Sequence, residues 1–402
     1  MGMTLPLIVR RSLRQHLLST LVTAFSIALA GGLLMSVWIV KRQAHDTFTG
    51  QSGGWDAVLG ARGAKLQLVL NAIFHLEASP GNVPYQDYLD ISSNRAIAAA
   101  IPLAVGDNFH GYRLVGTLTN FFATEYTPKR TFAVVPGGRL FEDGYREAVL
   151  GSFAAKRLGL KVGDTFQPYH GLNFDPAKQH EELYTVTGVL EPSNTPADRV
   201  IWIPLAGLQN MSGHDPNAAA DVSAVLVKLR TPIAGQQLDV LYNRQGNRLT
   251  FAWPIARQMA DLFDKFGWFD QVLGMVAVLV ALVAAGSILA SIYNSMNSRR
   301  RDIAILRALG ARRATVFAAI VLEAAAIAAL GMVFAFGLHF AILSAAGAVI
   351  RAQTGVVLDP FAPDAVMLWA PAVLIGLSAL AGIVPALKAY RTNVADGLAP
   401  ES

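Results

Sequence analysis

Six histidines, His45, His75, His110, His170, His180 and His214, lie in the middle of the chain, and Glu181 and Glu182 adjoin His180. Imidazole and carboxylate are donors for zinc and other divalent metals. A zinc helix needs a second histidine one turn away, and His180-Glu181-Glu182 has none at that spacing. No metal site is therefore assigned, and the six are expected to be solvated surface side chains. The chain has no cysteine, which excludes thiolate metal sites, disulfides and thiol redox chemistry. Gly50-Gln51-Ser52-Gly53-Gly54 has the residue pattern of a nucleophile elbow, but that geometry needs a strand leading in and a helix leading out, and neither is legible. Gly60-Ala61-Arg62-Gly63-Ala64-Lys65-Leu66 lacks phosphate-loop spacing and the Ser or Thr that would ligate magnesium. No catalytic residue and no cofactor is assigned to this chain.

The strongest candidate for an interaction site is the run Arg299 to Arg313, with six arginines in fifteen residues. Ile303, Leu306 and Ala308-Leu309 leave an apolar stripe at helical spacing between the charges, and Gly310 is placed to end the helix. An amphipathic helix of this kind at a membrane surface is a handle for another protein. A mere headgroup anchor would gain about 1 kcal/mol per basic residue, but it needs neither Asp302 nor Gly310. Glu323 follows about ten residues later, roughly 15 Å into the next apolar segment at 1.5 Å per residue. An intramembrane carboxylate is costly and faces a bundle interior or partner, so Glu323 is read as a structural hydrogen-bonding group and His339 as a packing residue.

Four segments have the roughly 20 apolar residues needed to span a bilayer: 17–40, 272–293, 316–346 and 365–387. The first imitates a secretion signal, with Arg10, Arg11 and Arg14 before it and Ala28-Leu29-Ala30 as a mock cleavage site, but its apolar run is too long for a signal core. The basic residues place 1–16, 299–313 and 388–402 on the cytoplasmic side. That leaves 41–267 and the short loop 347–364 outside. Lys41 and Arg42 are the exception to the charge rule. The fold class expected is an α-helical membrane protein with four transmembrane helices and a large mixed α/β extracytoplasmic domain between the first two. Composition agrees: 53% hydrophobic and 15% charged residues, with the apolar excess at the two ends of the chain. The net charge of +5 sits beside the spans, so it points to membrane orientation and not to nucleic acid.

Within the outer domain, 55–60 and 98–105 read as strands with a capped helix at 84–94 between them, and 221–230 and 248–253 as strands with a helix at 231–245. Two β-α-β units at the domain's ends make one α/β lobe, split by an insertion at about 117–208 that is richer in strand and turn signals.

The run Arg301-Asp302-Ile303-Ala304-Ile305-Leu306-Arg307-Ala308-Leu309-Gly310-Ala311 resembles the loop between the second and third helices of FtsX-like, or MacB-type, ABC-transporter permeases. Glu147 to Ser152, Ala155 to Leu160, Val162-Gly163-Asp164, Gly188-Val189-Leu190 and Thr195 to Arg199 are similar to that family's extracytoplasmic core domain, and Pro385 to Ala389 to its terminal Pro-Ala-x-x-Ala. Asp302 stands where Glu is commoner and Val394 where Pro usually follows. The resemblance implies a type VII permease subunit of the bacterial inner membrane, with both termini cytoplasmic and the large domain periplasmic. Its partners would be an ABC ATPase dimer that binds ATP and Mg, a second permease copy or related permease, membrane lipid, and a periplasmic adaptor, lipoprotein or substrate-binding protein. Arg300, Arg301, Asp302, Arg307, Arg312 and Arg313 would supply polar contacts to the ATPase, and Ile303, Ile305, Leu306 and Leu309 an apolar knob ended by Gly310. The family's function is mechanotransmission, in which ATP hydrolysis in the partner drives export or extraction of a substrate at the outer face of the membrane. The alternative within the family is a regulatory subunit that activates envelope enzymes such as cell-wall hydrolases.

Overall fold

The computed structural model describes residues 5–50, 52–214, 220–265, 267–298, 307 and 311–391. The chain forms two compact units, one of Met1–Gln43, Gly267–Gly347 and Leu358–Ser402, the other of Ala44–Phe266 with Ala348–Val357.

The first unit is helical. Among the described residues, three helices are long and apolar enough to cross a membrane: Leu17–Gly50, Arg313–Thr354 and Val366–Leu387. The fourth expected span falls on the continuous helix Gly267–Ser298, part of whose side chains lie outside the described residues. Apolar attraction between helices is weak in lipid, so close backbone approach must hold such a bundle. Small residues provide it here. A Cβ on Gly331 would lie 2.8 Å from both the Ala24 carbonyl oxygen and Ile27 Cβ, and one on Gly31 would lie 2.8 Å from Met332 Sδ. Ala24, Ala28, Ala328 and Ala335 are buried around that crossing.

The second unit is an α/β domain. Its strands are β1 (Ala57–Ala61), β2 (Val83–Pro84), β3 (Ile97–Phe109), β4 (Tyr112–Thr117), β5 (Glu125–Thr127), β6 (Arg130–Thr131) and β7 (Glu147–Leu150). They continue with β8 (Thr165–Phe166), β9 (Tyr169–His170), β10 (Tyr184–Val189), β11 (Ile201–Pro204), β12 (Asp221–Val222), β13 (Ala224–Leu229) and β14 (Leu249–Ala252). Ten of them form one sheet in the order β14-β1-β13-β3-β4-β11-β7-β10-β8, with β9 pairing on β3. The order β14-β1-β13-β3 is that of a split β-α-β-β-α-β lobe. Side chains alternate between its faces: Ala57, Leu59, Val225 and Val227 join one core with Ile91 and Leu238 of the helices Tyr85–Ser92 and Pro232–Asp239. Val58, Ala224 and Leu226 join the other core with Leu68 of helix Lys65–Ala72 and Met259 of helix Ile255–Lys265. With both faces covered, β1 and the Ala224–Val227 part of β13 are continuous apolar runs.

Three elements differ from the sequence reading. The strand expected to end at Val105 runs to Phe109, because its register shifts between Val105 and Asp107 and pairing resumes with β4. That bulge at Gly106 interrupts the period-two pattern and hides the continuation. The first half of β3 pairs β13 and the second half pairs β4, so the insertion grows from the same sheet. The helix expected over 231–245 is α-helical from Pro232 to Asp239 and widens to a π-helix over Val240–Gln245. The helix Tyr85–Ser92, expected to be capped, carries no side-chain cap, since its N-cap is Pro84.

Gly151 shows how tightly the insertion is built. A Cβ there would lie 2.4 Å from the Asp198 carbonyl oxygen and 2.5 Å from that of Ala197, both backbone atoms that cannot rotate away. Gly151→Ala is expected to lower stability by about 2–3 kcal/mol through overpacking, read as a drop in the thermal unfolding midpoint. An unchanged midpoint would mean that the 195–199 segment yields freely.

Candidate functional site

Four side chains that the sequence keeps far apart converge on the second half of β3. The bulge at Gly106 re-aims Asp107, whose side chain is fully buried. His170 on β9 is its direct antiparallel partner. His180 lies beyond the short helix Pro176–Lys178, held where its backbone N–H donates to the Pro168 carbonyl at 2.9 Å. His214 ends a turn after helix Leu205–Gln209, with its N–H donating to the Met211 carbonyl at 3.3 Å. His170 Nδ1 and His180 Nε2 lie 3.3 Å from Asp107 Oδ1, and His214 Nε2 lies 3.2 Å from Oδ2. The three imidazole centroids are 5.1 to 5.4 Å apart.

The outer edges of two rings are pinned. His180 Nδ1–H donates to the Ser212 carbonyl at 2.8 Å, and His214 Nδ1–H to the Leu208 carbonyl at 3.1 Å. Ser212 is itself clamped by Glu182, which accepts from its backbone N–H and its hydroxyl, both at 2.8 Å. Burial alone would raise the Asp107 pKa, but the His180 and His214 imidazoles beside it outweigh burial and hold it at about 2. His180 is pushed up despite its burial, through its contact with Asp107. His214 is pushed up by its hydrogen bond to Asp107. Ser212 hydrogen bonds lower Glu182 against the upward pull of its burial.

The expectation of solvated histidines is corrected for His180 and His75, which are buried, and for His214, whose side chain is only 17% exposed. Hydrophobicity patterns mark where apolar side chains go, and these imidazoles are buried by pairing with Asp107 or, for His75, by packing edge-on against Trp202 at 5.6 Å. Asp107 and Ser212 went unnoticed, and Glu182 was weighed only as a neighbour of His180, because no local spacing links them to the other histidines.

In the helical unit, Ser12 Oγ donates to Glu323 Oε1 at 2.7 Å, and Ser36 Oγ lies 3.1 Å from Nδ1 of the buried His339. Of the arginine-rich run, Arg300, Arg301, Asp302, Ile303, Ile305, Leu306, Leu309 and Gly310 lie outside the described residues. Arg307 is helical and partly buried. The Arg312 carbonyl accepts the Thr315 N–H at 2.9 Å, at the start of helix Arg313–Thr354, and the Arg313 guanidinium lies 5.6 Å from the Tyr390 ring.

Comparison with known proteins matches residues 17–239 to the MacB-like periplasmic core domain and residues 274–394 to the FtsX-like permease C-terminal domain. The lipoprotein-releasing system transmembrane protein LolE of Haemophilus influenzae is 28% identical over 180 residues, a match covering 42% of this chain and 40% of that relative. Among solved structures, the periplasmic region of MacB from Actinobacillus actinomycetemcomitans aligns with TM-score 0.36 and 14% identity, over 54% of this chain and 94% of that one. The extracellular domain of the noncanonic ABC-type transporter YknZ from Gram-positive bacteria aligns with TM-score 0.29 and 16% identity, over 49% of this chain and 99% of that one.

Proposed function

Because the chain belongs to the FtsX-like, MacB-type family of ABC-transporter permeases, we propose that it passes the work of ATP hydrolysis in a separate ATPase subunit to its α/β domain. The domain then exports or extracts a substrate at the outer face of the bacterial inner membrane. The observation that carries this reading is the order of the two matched regions, a core domain at 17–239 followed by permease helices at 274–394. In that arrangement one membrane unit links an ATPase on the cytoplasmic side to a domain of more than two hundred residues on the other. Both termini and the 299–313 run face the cytoplasm, and the α/β domain faces the periplasm. Two ATPase subunits and a second permease copy complete the assembly, and ATP and Mg are bound by the ATPase, not by this chain. Lipoprotein is the substrate class to test first, since the relative LolE is named for lipoprotein release.

The test is ATP hydrolysis by the permease reconstituted with its ATPase in proteoliposomes. Hydrolysis is expected to rise when an envelope extract, or a purified lipoprotein, is supplied on the side of the α/β domain. No stimulation by any envelope fraction would refute transport. Recovery of a cell-wall hydrolase or its activator on the α/β domain would favour the regulatory role instead.

A further inference from the structure

Among the described residues, Asp107, His170, His180 and His214 each offer a ligand atom, and all four atoms lie within 4.8 Å of one another. The protonation of the two inner imidazoles is dictated by their outer contacts. A carbonyl oxygen only accepts, so the Ser212 and Leu208 carbonyls each require a proton on the Nδ1 they face. In a neutral imidazole the Nε2 is then a bare lone pair. Both Nε2 atoms look at the carboxylate of Asp107, at 3.3 and 3.2 Å. Lone pairs facing a buried carboxylate at that distance repel unless each Nε2 takes up a second proton or a cation lies among them. Despite these short approaches, neither His180 Nε2 nor Asp107 Oδ2, both buried, makes a well-formed hydrogen bond, a costly state for two polar atoms.

We propose that Asp107, His170, His180 and His214 bind one divalent transition-metal ion, Zn²⁺ by its preference for a tetrahedral set of nitrogen and oxygen donors. One dication answers all four donors at once. A tetrahedral zinc with bonds of about 2.0–2.1 Å separates its ligand atoms by roughly 3.4 Å. The Asp107 oxygens already stand 3.2 to 3.3 Å from the three imidazole nitrogens. The remaining separations, all within 4.8 Å, must shrink as the rings turn toward the ion, and the 49% exposure of His170 leaves that ring room to do so. The outer contacts are those of an ordered metal site, with carbonyls fixing the tautomers of His180 and His214 and Glu182 holding Ser212. A cavity of about 290 Å³, lined by His170, His214, Gln209 and Asp221, gives the ion a route in. With four protein donors there is no open position for an activated water. The ion instead ties β3, β9, the segment before β10 and the turn after Leu205–Gln209 into one body, so that metal loading alters the rigidity of the insertion.

The test uses the full-length chain in detergent, stripped with a chelator and titrated with Zn²⁺ alone and, separately, with Co²⁺ alone. One Zn²⁺ per chain is expected, with the strong visible absorption of tetrahedral Co²⁺ and no competition from Mg²⁺. His170→Ala, at a half-exposed position that the core does not use, is expected to weaken Zn²⁺ binding by about 100-fold. Glu182→Gln is expected to weaken it by roughly 10-fold through the Ser212 turn. Lack of stoichiometric binding, an octahedral Co²⁺ spectrum, or unchanged affinity in His170→Ala would each overturn the proposal. No ATPase is present in this titration, so its result is independent of the transport reading.

Discussion

Substitution of Leu309 by Asp is expected to abolish substrate-stimulated ATP hydrolysis in the reconstituted complex while leaving the chain inserted in the membrane. Leu309 closes the apolar stripe that begins at Ile303, the face proposed to seat in a groove on the ATPase. A carboxylate carried into an apolar groove without a partner costs about 3 kcal/mol or more, a weakening of docking on the order of 100-fold. Gly310→Pro acts on the same element through the backbone, since proline drives the preceding residue, here Leu309, out of the α region. Neither change touches an apolar span, so insertion and orientation are retained. The measurement is paired: ATP hydrolysis with and without envelope extract, and nucleotide-dependent protease protection of the α/β domain. Hydrolysis at the rate of the ATPase alone, with no nucleotide effect on protection, is the expected result. Normal coupling in both variants would sink the docking proposal.

Acid is expected to destabilise the α/β domain through His75. Burial, and then the charges of Arg113 and Arg199, hold its pKa at about 3, against a backbone hydrogen bond to Asn71 that raises it. The unfolded chain takes up this proton near pH 6.5, whereas the folded chain resists until about pH 3. The stabilisation is therefore complete above pH 6.5 and is lost progressively as pH falls toward 3. The loss is about 2–3 kcal/mol by pH 4.5 and reaches roughly 4–5 kcal/mol near pH 3. His75 has φ of 54°, a left-handed conformation that Asn tolerates better than other non-glycine residues. His75→Asn should thus keep the backbone and remove the titration. Thermal unfolding followed by near-ultraviolet circular dichroism from pH 7 to 4 is expected to show a steep acid loss in the wild type and a flatter one in the variant. Parallel losses would assign acid sensitivity to other groups.

The long apolar runs of the spans, the arginine cluster and the short continuous apolar runs of β1 and β13 were legible in the chain because each is written in contiguous residues. Hydrophobic length, charge beside a span, and a short apolar run bounded by turn residues are local quantities. Local signals faltered wherever the backbone left its period, as at Gly106, where a bulge concealed the last four residues of β3, and at Val240–Gln245, where the helix widened. The cluster of Asp107, His170, His180 and His214 had no local signal at all. No spacing among these residues repeats a known ligand pattern, and the surrounding residues of each read as ordinary strand or loop.

By itself, the sequence determined that this is a membrane permease with a large α/β domain and where its arginine-rich run lies. Those properties follow from the composition of single segments and from family motifs matched in order. Only the tertiary structure decided that three imidazoles face one carboxylate, because that meeting depends on β9 pairing with β3 and on a turn clamped by Glu182. These are contacts between segments up to 107 residues apart. Such proximity is a property of chain topology, and it becomes visible only once the bulge has turned Asp107 toward the histidines.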